Sequence, residues 1–266
     1  MIIQPQPDGS LIMIAQSDHS LVSGVFAAHW GNGAFQRPEP FEPVVRAAML
    51  HDCGWYRYEA SPRFDDASGK TPAFMHVALD AEQLGAFQWG SDWVADIDPY
   101  AGMLVNRHRT GLWRGRYGAI AHPQAFNARN LSETVEAFIA RNEKRHEQQL
   151  ASVDQHQFVV NYRLLQVWDL LSLYFCVAQP KDDHIEPVPR SYDATDTTRL
   201  TLAPLGGGKV AIDPYPFGVV TLPVHVVHRH LPIAKFKDRA AFRQAYYQAV
   251  PEVLRFELVP QSSATK

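Results

Sequence analysis

The sequence is short of cysteine, of long apolar runs and of surplus basic residues, and each shortage excludes a class of protein. Only Cys53 and Cys176 are present, so a framework of several disulfides is excluded and a reducing cytoplasm is the expected location. No segment approaches the ~20 apolar residues that a membrane-spanning helix requires. We therefore expect a cytoplasmic protein without a membrane partner.

The charge of the chain excludes a further class. The formal net charge is −3 over 266 residues, whereas a nucleic-acid-binding domain usually carries a basic surplus, so no nucleic-acid partner is expected. Hydrophobic residues make up 46% and charged residues 20% of the chain, as in ordinary globular proteins. This length fits one large domain, or one domain with a smaller appended piece. The sequence gives no prediction of the oligomeric state.

Hydrophobic periodicity predicts helices in the first two thirds of the chain. The expected helices cover residues 18–30, 41–53, 75–90, 98–112, 132–153 and 157–178. Apolar residues surround nearly the whole circumference of the last of these, "QFVVNYRLLQVWDLLSLYFCVA", which is typical of a helix buried on most sides. Gly54 is expected to end the second helix in a left-handed conformation. We predict a mainly α fold, with a helical body over residues 1–180.

After residue 180 the pattern changes to the alternation that is typical of strands. The segments "RLTLAP", "KVAIDPYPF", "GVVTLPVHVVHRHL" and "VLRFELVP" alternate apolar and polar residues, and one helix, "RAAFRQAYYQAV", interrupts them. We expect a small antiparallel β-rich appendix over residues 181–266, packed on the body. The N-terminal segment "LIMIAQ" also reads as a strand and could complete this appendix.

Two aspartates stand where an unpaired carboxylate would be costly. Asp169 lies in the middle of the most apolar helix, and a buried lone carboxylate costs several kcal/mol unless a proton, an arginine or a metal cation neutralises it. Asp52 follows the apolar run "VVRAAML" at a helix C-terminus, whose partial charge is already negative. An arginine partner such as Arg46 or Arg57 is one solution for Asp52. A single cation shared by both aspartates is the other.

Two histidines complete a set of metal ligands. His19 lies near the start of the first helix, in "QSDHS", and His51 directly precedes Asp52 in "HDCGW". Imidazole and carboxylate together suit a divalent transition metal such as Mn, Fe, Co, Ni or Zn. We predict that these groups and Asp169 bind it.

The order of these residues resembles the HD superfamily of metal-dependent phosphohydrolases, which is named for its His-Asp pair. The segments "QSDHS", "HDCGW" and "RHRTGL" resemble more closely an uncharacterised bacterial family, domain of unknown function 3891. The resemblance implies an HD-like helical bundle with His19, His51, Asp52 and Asp169 as metal ligands. His76 and His108 occupy the order of two further histidines that hold a second ion in some HD proteins. The resemblance therefore implies a site for one or two divalent metal ions.

The resemblance also implies a hydrolase that acts on a small phosphorylated substrate, a phosphate ester or a nucleotide. A bound divalent ion activates water and polarises a phosphoryl oxygen. The expected catalytic residues are Asp52, His108, Arg107 and Arg109. Guanidinium groups match phosphate oxygens, but neighbouring side chains on a helix point about 100° apart, so only one of the two arginines should reach the site.

Other interpretations of the same residues remain open. Six nitrogen and oxygen ligands could instead hold a di-iron centre that activates dioxygen, as in HD-like oxygenases. The chain could also be a non-catalytic module that binds or senses a ligand. His76 could be an ordinary surface histidine, and His108 could belong to a solvated helix end.

Overall fold

The computed structural model describes residues 1–77, 79–120 and 131–261. Within them the helices are α1 Gln16–His29, α2 Phe41–Leu50, α3 Trp55–Glu59, α4 Ala81–Ile97, α5 Pro99–Trp113, α6 Glu133–Leu150, α7 Gln155–Cys176 and α8 Arg239–Gln248. The strands are β1 Ile2–Pro5, β2 Leu11–Ile14, β3 Asp183–Pro189, β4 Thr197–Gly206, β5 Lys209–Asp213, β6 Leu222–Leu231 and β7 Pro251–Pro260. Short 3₁₀ turns occupy Phe74–His76 and Gly115–Gly118. In the described part of the chain, no helix is both long and apolar enough to cross a membrane.

The prediction of a mainly α fold is wrong. About 47% of the structure is helical and about 22% is strand, and the strands form one curled, seven-stranded mixed sheet that resembles half a barrel. The strand order is β1-β2-β6-β7-β5-β4-β3. Neighbouring strands are antiparallel except β5 and β7, which are parallel. The fold is therefore an α+β structure, neither all-α nor a bundle with a purely antiparallel appendix.

The two strands that the sequence pattern did not reveal are the two edges of this sheet. β1 ends in Pro5, and β3 contains Pro187 and Pro189. Proline cannot donate a backbone hydrogen bond, so it is tolerated in edge strands and weakens the strand pattern of a sequence. The edge position thus explains why these segments can contain proline. It also explains why their sequence pattern does not predict strands.

Helices and sheet share one hydrophobic core. α1 packs against β6 and α7 packs against β3, and the Phe175 ring on α7 lies 5.0 Å from that of Phe256 on β7. The sheet takes strands from both sides of residue 180, at which we placed a domain boundary. A smaller cluster on the other face of the sheet joins Met13 and Leu231 to Phe242 of α8. α1 and α7 are therefore packed against the sheet, and they carry the predicted metal ligands His19 and Asp169.

Close packing brings α4 against the turn that follows α2. Gly54 has a φ of −56°, so the expected left-handed conformation is wrong, and the reason for the glycine is space. A Cβ at Gly90 of α4 would lie 2.6 Å from the Gly54 nitrogen, and one at Gly54 would lie 2.9 Å from the Ala86 carbonyl oxygen. The two glycines let α4 support the turn that carries His51 and Asp52.

Candidate metal centre

The four predicted metal ligands of the HD pattern lie together at the meeting point of three helices. His19 is in the first turns of α1, Asp169 is in the middle of α7, and His51 and Asp52 lie in the turn after α2. All four are buried, with 1–4% of their surface exposed. α1 contacts both α2 and α7, so the packing of apolar faces carries these polar groups inward.

The Nε2 atom of each histidine faces one oxygen of each aspartate. His19 Nε2 lies 3.1 Å from Asp52 Oδ2 and 3.9 Å from Asp169 Oδ1. His51 Nε2 lies 3.5 Å from Asp169 Oδ1 and 3.9 Å from Asp52 Oδ2. Ligand bonds of about 2.1 Å in a tetrahedral site separate neighbouring ligand atoms by about 3.4 Å. Ligand atoms of His19, His51 and Asp169 all lie within 4.8 Å of one another, and so do ligand atoms of His51, Asp52 and His108. Each of these two overlapping groups could hold a metal ion.

The hydrogen bonds of His19 assign its tautomer. Ser172 donates its hydroxyl proton to the main-chain oxygen of Asp169 at 2.8 Å, so His19 Nδ1 is the donor in its 2.7 Å contact with Ser172 Oγ. His19 Nε2 then carries a lone pair and faces a carboxylate oxygen of Asp52. Two electron-rich atoms at that distance repel each other unless a proton or a metal cation lies between them.

His51 repeats this arrangement. Its Nδ1 donates to the main-chain oxygen of Ala48 at 2.9 Å, which leaves the lone pair on Nε2, and that buried atom has no hydrogen-bond partner in the described structure. Burial alone would lower the pKa of His51, but Asp52 and Asp169 outweigh burial and raise it. The raised pKa reflects the same need for positive charge at the centre.

The outer oxygen of each aspartate is bound by an arginine. Arg109 of α5 donates to Asp52 Oδ1, and Arg116 donates to Asp169 Oδ2 at 2.9 Å. Burial would raise the pKa of each carboxyl, but Arg109 holds that of Asp52, and Arg116 that of Asp169, well below the usual range. Both carboxylates are therefore ionised, and the inner oxygen of each points toward the imidazoles.

His108 is held differently. Gln166 accepts a hydrogen bond from Arg116 through Oε1 and donates its amide Nε2–H to His108 Nδ1 at 2.8 Å. His108 Nε2 therefore carries the ring proton, and His108 lines the cleft beside the centre. Burial, with the charge of His51, lowers the pKa of His108 well below its ordinary value. In this arrangement His108 is a neutral donor suited to a substrate oxygen rather than a ready metal ligand.

The other predicted residues lie apart from the centre. Arg107 points away from it and stacks on Tyr117, with its guanidinium carbon 3.3 Å from the ring centroid. His76 is exposed on its 3₁₀ turn, because Asp80 accepts a hydrogen bond from the Gln83 backbone and α4 begins only there. Arg46 pairs with Asp98. The structure thus brings together five of the six predicted ligands and one of the two predicted arginines.

Sequence reasoning missed Arg116, Gln166 and Ser172. Gln166 and Ser172 lie three residues before and after Asp169 on α7, so each is a neighbour of Asp169 on the helix surface, and this spacing could have revealed them. No comparable signal marks Arg116. It reaches the centre because Arg116 and Tyr117 adopt positive φ values of 55° and 51°, which are uncommon for residues other than glycine.

A cleft opens beside the four atoms, with about 610 Å³ of empty space including its mouth. Aromatic side chains line it, among them Trp55, Phe87 and Trp113. Three buried polar atoms of lining residues have no hydrogen-bond partner in the described structure, namely Gln16 Oε1, Gln83 Oε1 and Trp55 Nε1. The wall of the cleft thus combines aromatic surface with buried polar atoms that have unused hydrogen-bonding capacity.

Comparison with known protein families identifies the group to which this chain belongs. The model of the family described as protein of unknown function (DUF3891) matches residues 1–233, which confirms the resemblance to that family. The chain is a member of it. Neither the curated proteins nor the solved structures contain a match to this sequence. The matched residues include all of the side chains that form the candidate metal centre.

Proposed function

We propose that this protein is a metal-dependent hydrolase of HD type that acts on a small phosphorylated compound, a phosphate ester or a nucleotide. One observation carries the proposal: two imidazole nitrogens and two carboxylate oxygens lie close together in a buried place, where a metal cation would relieve their repulsion. The order His, His-Asp, Asp on three helices is also the order of the HD pattern. His19, His51, Asp52 and Asp169 would hold the ion.

The charges around the centre support an anionic substrate. The carboxylates of Asp52 and Asp169 are balanced by Arg109 and Arg116, so a divalent ion would add two positive charges that the protein does not neutralise. A phosphate monoester dianion supplies the matching negative charge. Arg109 also lies over the ring of Phe87, 3.8 Å from its centroid, which fixes its guanidinium at the wall of the cleft.

A divalent transition-metal ion held by His19, His51, Asp52 and Asp169 would supply Lewis-acid chemistry, which would activate water near neutral pH and stabilise charge on a phosphoryl oxygen. Hydrolysis joins the water oxygen to phosphorus and releases the alcohol, which takes one of the two water protons. The Nε2–H of His108 donates to an oxygen of the substrate. The aromatic wall and the unpartnered amides of Gln16 and Gln83 suit a ring attached to the phosphate.

Metal analysis tests the proposal directly. Protein purified without chelator and reconstituted separately with Mn, Fe, Co, Ni and Zn should bind at least one of these metals stoichiometrically. His51→Ala and Asp169→Asn should abolish binding, whereas His76→Ala, which changes an exposed histidine, should leave it intact. A metal-loaded sample should hydrolyse at least one member of a panel of sugar phosphates, nucleotides and phenyl phosphates. Absence of stoichiometric metal, or equal binding by all variants, would contradict the proposal.

A second candidate is a non-catalytic ligand-binding module. The observation in its favour is that Arg109 and Arg116 already neutralise the two aspartates, so a doubly protonated His51 could stabilise the centre without metal. Saturable binding of a nucleotide by protein that contains no metal and shows no turnover would favour this function over hydrolysis.

A further inference from the structure

A second cleft lies on the other side of the turn Gly115–Gly118. The consecutive left-handed residues of this turn send Arg116 to the metal centre and Tyr117 to the second cleft. Such backbone conformations are uncommon in residues other than glycine and are often found at functional sites. The second cleft has about 610 Å³ of empty space including its mouth, and the proposed substrate cleft is separate from it.

The walls of the second cleft divide into an apolar part and a polar part. Leu150, Phe158 and Val159 supply apolar surface, whereas Arg107 and Arg163 bring two guanidiniums. No acidic residue is found among the described residues that line it. The cleft is therefore both apolar and positively charged.

Two deeply buried polar atoms in this wall have no partner within the described part of the chain. They are Nδ1 of His146 and the phenol oxygen of Tyr162, in side chains that are 3% and 5% exposed. Burial raises the pKa of Tyr162, so its hydroxyl remains a donor. A buried polar group without a partner is unfavourable, so this wall of the cleft retains unused hydrogen-bonding capacity.

The guanidiniums of this cleft differ from those of the metal centre. Arg107 stacks on Tyr117, and Arg163 donates to the main-chain oxygen of Ala194 at 3.3 Å. Neither forms a salt bridge with a carboxylate of the described residues, whereas Arg109 and Arg116 each bind an aspartate. Two cationic groups thus keep donors available for an anion.

From these observations we infer that the second cleft binds a small organic anion, with a carboxylate or phosphate group against Arg107 and Arg163 and an apolar body against Phe158 and Val159. The site lies on the opposite side of the turn from the metal ligands, so this inference does not depend on the proposed hydrolase activity.

Calorimetric titration of the full chain tests this inference with benzoate, phenylphosphonate and inorganic phosphate as probes. Benzoate and phenylphosphonate distinguish a preference for carboxylate from one for phosphorus oxyanions, and inorganic phosphate lacks the apolar body. Saturable binding of at least one aromatic probe, tighter than that of phosphate, is expected. Arg163→Gln should weaken it about tenfold or more, because a charge-assisted hydrogen bond is lost. Arg141→Gln is the matched control, since it removes the same charge from an exposed position of α6.

A second variant guards against a misfolded Arg163→Gln protein. Val159 is 47% exposed, so Val159→Glu should fold normally while it places a carboxylate at the cleft and repels the probe. Binding that is lost in both variants and retained in Arg141→Gln supports the inference. Lack of saturable binding of either aromatic probe, or an unchanged Kd in Arg163→Gln and Val159→Glu, overturns it.

Discussion

The two clefts on either side of the Gly115–Gly118 turn use the same residue type in opposite ways. At the metal centre each arginine binds the outer oxygen of an aspartate, and the inner oxygens meet two imidazole lone pairs. In the second cleft the arginines have no acidic partner among the described residues and lie beside neutral polar groups. We propose a cation for the first cleft and an anion for the second, so the partner of an arginine, more than its presence, would determine the ligand.

The largest expected effect comes from removing an arginine that neutralises a buried acid. Arg116→Met should lower the free energy of unfolding by about 3–5 kcal/mol, because the Asp169 carboxylate would remain buried without its guanidinium. Urea denaturation measures this change. Arg163→Met in the second cleft leaves no buried carboxylate without a partner. It should therefore lower the free energy of unfolding by less than about 1 kcal/mol. Equal losses in the two variants would remove the distinction between the clefts.

Acidification should destabilise the second cleft through His146. Burial, together with Arg107, lowers the pKa of His146 to about 4, below the unfolded value of about 6.5. Because the unfolded chain takes up the proton first, the stabilisation is present above about pH 6.5 and is lost as the pH falls toward 4, by at most about 3 kcal/mol.

His146→Gln should therefore flatten the dependence of urea stability on pH between about 6.5 and 4. His108, whose pKa is also lowered, contributes in the same range, so the flattening should be partial. His76→Gln changes an exposed histidine and serves as the control. A pH profile of His146→Gln that coincides with that of the wild type would contradict this account.

The smallest effect concerns the serine that orients His19. Ser172→Ala removes the acceptor that fixes the His19 tautomer and should weaken metal binding about tenfold, as is usual for such supporting groups. Competition with a chromophoric chelator measures the affinity. Ser20→Ala is matched to it, because Ser20 is also buried but bonds only to the main-chain oxygens of Ser17 and Met49. If Ser172→Ala binds metal as tightly as the wild type, another contact must fix the tautomer of His19.

Some residues of the candidate metal centre could be predicted from the sequence and others could not. The difference is whether the local sequence or the tertiary fold determines the position of the residue. Asp52 and Asp169 stand out because local sequence alone shows a carboxylate in an apolar setting. The choice between Arg107 and Arg109 depends on the rotation of α5 about its axis, which periodicity gives only coarsely. The position of the Arg116 side chain depends on two residues in the left-handed conformation. Neither is a glycine, so the local sequence does not predict this conformation.

Prediction of the fold was limited in the same way, because local sequence reveals only some of the strands. The central strands alternate apolar and polar residues and could be predicted, whereas β1 and β3 could not, since prolines interrupt them and only their edge position makes this acceptable. The pairing of β2 with β6 joins residues about 200 positions apart. Such pairing depends on the hydrophobic core that distant segments form together, and the pattern of one segment does not reveal it. For this reason we predicted a small β-rich appendix where the structure has one large sheet.

The strand order also constrains the sequence of events during synthesis on the ribosome. β6 and β7 occupy the middle of the sheet, although they are the last two strands of the described chain to be made. Until they emerge, the N-terminal hairpin and the β3-β4-β5 meander have no connection through the sheet, and each exposes an unpaired edge. Folding of α1 against its final support must therefore wait for late translation, and the nascent chain passes through a stage in which chaperones would find open strand edges.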